Sequence, residues 1–67
     1  MKFQSWPDEV LAHIDPARVL TVDAPEGETR FCYVAVDKRP PGGFSTMRLC
    51  FRVRGSVAEV NALLGRS

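Results

Sequence analysis

Thr46 to Arg54, TMRLCFRVR, alternates between polar and apolar residues without a break. Met47, Leu49, Phe51 and Val53 fall on one side, and Thr46, Arg48, Cys50, Arg52 and Arg54 on the other. A helix would scatter these residues around its circumference, whereas a strand with one buried face needs this period of two. The run predicts a half-buried β-strand whose arginines point away from the core. The preceding run, Arg30 to Asp37, is apolar on both sides, with Phe31, Tyr33 and Ala35 on one and Cys32, Val34 and Val36 on the other. A strand of that kind belongs in mid-sheet or beneath a second layer. Lys38 to Ser45 separates the two runs, and its Pro40-Pro41-Gly42-Gly43 core reads as a connection between strands. Matching the largest apolar residues sets Phe31 opposite Phe51, Tyr33 opposite Leu49 and Ala35 opposite Met47, because a one-residue slip would carry arginines into that core. The same register brings Arg30 opposite Arg52 and Cys32 opposite Cys50, close enough to bridge under oxidation.

The flanking segments supply the other elements. Met1 to Gln4 reads as a short strand or a packed tail. Ser5-Trp6-Pro7-Asp8 has the chemistry of a helix start, and Trp6, Val10, Leu11 and Ile14 follow at helical spacing. Asp15-Pro16 ends that pattern, and Asp15 can cap one more turn through Ala17. Arg18 to Asp23 is a short β-branched run, joined by Ala24-Pro25-Glu26-Gly27-Glu28 to the next strand in a hairpin. Beyond Arg54, Gly55 breaks the strand and Ser56-x-x-Glu59 forms a capping box. Val57, Val60, Leu63 and Leu64 then make an apolar stripe ending at Gly65, where a C-terminal cap belongs. The expected architecture is one α+β domain over residues 1–67, in the order α-β-β-β-α. A three-stranded antiparallel meander carries an N-terminal and a C-terminal helix on its Phe31/Tyr33/Leu49/Phe51 face. The core then holds Trp6, Val10, Leu11, Ile14, Leu20, Val22, Phe31, Tyr33, Met47, Leu49, Phe51, Val53, Val57, Val60 and Leu64.

At 67 residues the core is small, and domains of this size draw on disulfides, metals, dense packing or oligomerisation. One histidine, His13, and two distant cysteines make no metal-ligand cluster, so no metal or cofactor is expected and homo-oligomerisation stays open. No apolar run approaches the length of a membrane span and the N-terminus lacks a signal-peptide pattern. A cytoplasmic location with free thiols is therefore the expectation.

The net charge of +1 hides an asymmetry. Residues 1–28 carry a balance of −4, and residues 29–67 carry +5. This pattern fits an acidic partner or nucleic acid, and it equally fits two halves that neutralise each other on folding. Catalysis finds no purchase: His13 and Asp15 do not share a helix face, and no glycine-rich phosphate loop precedes a helix. The chain is thus expected to be no enzyme. It reads as a small binding module acting through protein–protein contacts, as an adaptor or an inhibitor of a larger complex. Its expected contact residues are Arg30, Lys38, Arg39, Phe44, Arg48, Arg52 and Arg54, arginine being enriched at such interfaces. Phe44 is either a plug on the sheet or an exposed hook. The alternative is nucleic-acid binding through the arginine-rich outer face of the hairpin. Single-strand recognition calls for exposed aromatic rings, which this register does not put there.

Overall fold

The computed structural model describes residues 1–38, 42–43 and 47–65. Five strands and one helix follow in chain order: β1 (Lys2–Gln4), β2 (Leu11–His13), β3 (Val19–Asp23), β4 (Phe31–Lys38), β5 (Met47–Arg54) and α1 (Val57–Leu63). A single 3-10 turn, Pro16–Arg18, links β2 to β3. β1 and β2 form an antiparallel ribbon, and β3-β4-β5 form the antiparallel meander expected from the sequence, with β4 in the middle.

The N-terminal half of the expected α-β-β-β-α order is corrected. No helix forms between Ser5 and Ile14; that segment turns back through Ser5–Asp8 and enters β2. Lys2 pairs with His13, Phe3 with Ala12 and Gln4 with Leu11. The ribbon is closed by the Ile14 N–H donating to the Met1 carbonyl at 2.8 Å and the terminal amine donating to the Ile14 carbonyl at 3.0 Å. The physical reason is local weakness. An isolated helix of some ten residues is marginal in water, and Val10, His13 and Ile14 are poor helix formers. Pairing with β1 satisfies the backbone groups of two segments together. Phe3 and Ile14 are buried in the core as a result, while Val10 and Leu11, expected inside, are exposed. The Asp15 cap does form, its carboxylate accepting from the Ala17 N–H at 3.0 Å.

The second correction concerns register. β4 and β5 pair as Cys32 with Val53, Val34 with Phe51 and Val36 with Leu49 on one face, and as Phe31 with Arg54, Tyr33 with Arg52, Ala35 with Cys50 and Asp37 with Arg48 on the other. The odd-numbered residues of β5 do face inward as expected. β4 is turned over. Its smaller residues, Cys32, Val34 and Val36, join Val53, Phe3, Ile14, Val60 and Leu64 in the buried cluster, and Leu49, Phe51, Val22 and Val57 pack against it. The rings of Phe31 and Tyr33 stand on the outer face. The reason is room: this inner face receives a short helix and a two-stranded ribbon at close range, and small β-branched side chains let them approach. Met47, at the end of β5, is exposed, and so is Leu20, where a bulge between Val19 and Thr21 interrupts β3.

The C-terminal helix starts and stops as the sequence reads, but it packs on the Cys32/Val34/Val36 face and Leu63 of the expected apolar stripe is exposed. The Ser56 hydroxyl caps the helix, accepting from the Glu59 N–H at 3.2 Å, and it donates to the Glu59 carboxylate at 3.2 Å in place of the reciprocal backbone bond of a full capping box. Gly65 ends the helix at φ +76°, where a residue with a Cβ would be strained.

Candidate binding surface

β1 does not stop at the ribbon. Ser5 bridges to Val53, and the Trp6 N–H donates to the Arg52 carbonyl at 3.0 Å, so the chain runs briefly beside the free edge of β5. This backbone contact brings Trp6 to the outer face, not into the core as expected. Its ring stacks on Phe31, with centroids 5.8 Å apart and 17° between planes. Phe31 meets Tyr33 edge to face at 5.7 Å. Three aromatic rings thus line one end of the outer face.

Arginines cover them. The Arg54 guanidinium lies 4.7 Å from the Trp6 ring centre and that of Arg30 5.8 Å from it. Arg52 reaches over both Phe31 and Tyr33, at 5.5 and 5.6 Å. Each contact is a cation–π interaction worth about 0.5–1 kcal/mol at an exposed site. Together they hold the guanidinium groups over the rings, so less side-chain freedom is lost when a partner arrives.

The ion pairing on this face is uneven. Arg30 is held by Glu28, its Nη2 donating to Oε1 at 2.8 Å and its Nε to Oε2 at 3.1 Å. The Thr29 and Arg30 N–H groups also donate to Oε2. Arg30's side-chain hydrogen bonds, then its backbone N–H, hold the Glu28 carboxyl down at about 2, well below the ordinary carboxylate range. The same bond raises the Arg30 guanidinium further. Arg30 and Arg52 do not face each other as the expected register had them: Tyr33 stands opposite Arg52, and Glu28 neutralises Arg30. Arg48, Arg52 and Arg54 have no carboxylate ion-pair partner among the described residues.

Of the expected contact residues, Arg52, Arg54 and Arg30 gather on the ring-lined end. Arg48 lies on the same face at the far end, opposite Asp37. Lys38 ends β4 and lines a different feature, while Arg39 and Phe44 lie outside the described residues. Trp6, Phe31 and Tyr33 are the residues that sequence reasoning assigned to the core. The signal that would have found them is cross-strand chemistry, since setting arginines opposite Phe31 and Tyr33 makes stabilising pairs. The two cysteines lie on opposite faces, Cys32 fully buried and Cys50 exposed between Arg48 and Arg52, so the expected proximity is corrected and both are free thiols.

Lys38 belongs to a cleft of about 340 Å³ on the inner side, floored by Ile14, Val36, Leu49 and Phe51 and rimmed by His13, Asp15, Arg18 and Asp37. Its rim carries both signs of charge, and Arg18 is already engaged by Asp15 at 3.8 Å. No group of three or more His, Cys, Asp or Glu side chains placed to hold a metal occurs among the described residues. No helix among them is long and apolar enough to cross a membrane. No protein-family model, curated protein or solved structure matches the chain.

Proposed function

We propose that this chain is a non-enzymatic binding module that takes single-stranded nucleic acid on the outer face of the β3-β4-β5 sheet. The observation that carries the reading is the ring-lined end of that face, where Trp6, Phe31 and Tyr33 lie under Arg52 and Arg54. Single strands are held by stacking of bases on aromatic and guanidinium planes together with a cationic track for phosphates. The neighbouring arginines, which have no carboxylate partner among the described residues, supply that track. Duplex nucleic acid is disfavoured, because its bases are already stacked and paired.

A second reading, a contact surface for an acidic protein, is favoured by the closure of the Trp6 ring between Phe31 and Arg54. Trp, Tyr and Arg are the residues that dominate protein interfaces.

The test is fluorescence anisotropy with labelled single-stranded RNA, single-stranded DNA and duplex DNA across a salt series. Arg48, Arg52 and Arg54 as phosphate ligands give a log–log slope of about −2 on single strands. The double reversal Arg52→Glu/Arg54→Glu is expected to abolish binding and leave the circular dichroism spectrum unchanged. Absence of binding to every probe at low salt removes nucleic acid and leaves the protein-partner reading.

A further inference from the structure

At the ring-lined end of the outer face, three strands contribute one residue each in a row. β3 gives Asp23, β4 gives Tyr33 and β5 gives Arg52; Tyr33 is the ladder partner of both others. Residues directly opposite in neighbouring antiparallel strands share a face with their Cβ atoms about 5 Å apart, so Tyr33 stands between a carboxylate and a guanidinium. The two charges do not pair with each other. Arg52 leans over the Tyr33 and Phe31 rings, and Asp23 has no side-chain hydrogen bond or ion pair among the described residues. Unlike Trp6, Tyr33 has no aromatic ring stacked on its face, since Phe31 meets it at 78°.

Resting on the single-strand reading above, we propose that Asp23 makes this face selective for a base that carries an exocyclic amino group, cytosine in preference to uracil. A base that displaces Arg52 from the Tyr33 ring has its phosphates drawn to that arginine and to Arg54, which turns its hydrogen-bonding edge to β3. There the Asp23 carboxylate accepts hydrogen bonds and offers none. The N4 amino group of cytosine donates to it, as carboxylates accept from that group elsewhere. Uracil presents a carbonyl oxygen at the same ring position, which repels the carboxylate and offsets what the neighbouring N3–H can donate to it. The two bases have the same ring size and similar stacking, so the difference between them isolates the contribution of Asp23.

The experiment measures the affinity of oligocytidine and oligouridine probes of equal length by anisotropy, for the unaltered chain and for Asp23→Asn and Asp23→Ala. Asp23 is exposed, and thermal unfolding checks that both variants fold. The expected result is about tenfold tighter binding of oligocytidine by the unaltered chain, at the low end for one hydrogen-bonded base contact. The preference falls below about twofold in both variants while oligouridine binding is kept. Equal binding of both probes by the unaltered chain overturns the assignment of Asp23 and leaves the single-strand reading standing. So does a preference that survives in the variants. Failure of both probes to bind at low salt overturns the reading itself and the selectivity with it.

Discussion

Cys32 and Cys50 report directly on which way β4 faces. In the structure Cys32 is fully buried on the inner face, whereas Cys50 is exposed on the outer face. The register drawn from the sequence would set both thiols side by side on the outer face. A thiol buried this completely reacts only when the sheet opens, and a 67-residue domain is stable by roughly 3–10 kcal/mol. Even ~3 kcal/mol leaves about one molecule in a hundred open, so Cys32 reacts at least about 100-fold more slowly than Cys50. Burial, and then the nearby Asp23 charge, push the Cys32 thiol up, which lowers its thiolate fraction and slows it further. The assay is titration with an aromatic disulfide reagent at neutral pH, followed by absorbance. One equivalent is expected in a fast phase and one in a slow phase. Cys50→Ser removes the fast phase, and concentrated urea merges the two. Two equivalents in a single fast phase under native conditions, or ready oxidation to an internal disulfide, would refute the register and the outer-face assignment of Phe31 and Tyr33 with it.

Two further outcomes test the packing and the ion pair. Val34→Ala removes two methyl groups from a fully buried site and is expected to cost about 1.5–3 kcal/mol, whereas Met47→Ala, at an exposed position, changes stability by less than about 0.5 kcal/mol; urea unfolding of both variants checks the pair. Glu28, held at about 2 in the folded chain against an ordinary 4.5, stabilises the fold above its unfolded value. That contribution is lost as pH falls from about 4.5 to about 2. The effect is small because Arg30 is largely solvated. Thermal midpoints between these pH values should fall less steeply for Glu28→Gln than for the unaltered chain.

The parts of this fold that a sequence could settle are those with one answer locally. The alternation of β5, the Ser56 cap before α1 and the Gly65 stop each depend on neighbours within a few residues, and each stands in the structure as read. The meander order of β3, β4 and β5 followed from short connections and the two-faced apolarity of the central strand. The basic outer face was legible too, because period two fixes which residues of β5 travel together. Its aromatic half was not.

β4 is apolar on both faces, so periodicity says that Phe31 and Tyr33 share a side and nothing about which side is covered. That choice belongs to the whole molecule. The helix and the β1–β2 ribbon pack on the face whose small residues admit them, and the rings are left to Trp6 and the arginines. The N-terminal segment shows the same limit, since Trp6, Val10, Leu11 and Ile14 fit a helix by spacing. A short helix is too weakly favoured on its own to resist backbone pairing with a strand ten residues away. By itself, the sequence determined which side chains move together along each strand and where the last helix starts and stops. Only the tertiary structure decided which faces meet, because that depends on non-local hydrogen bonds and on the room left between packed layers.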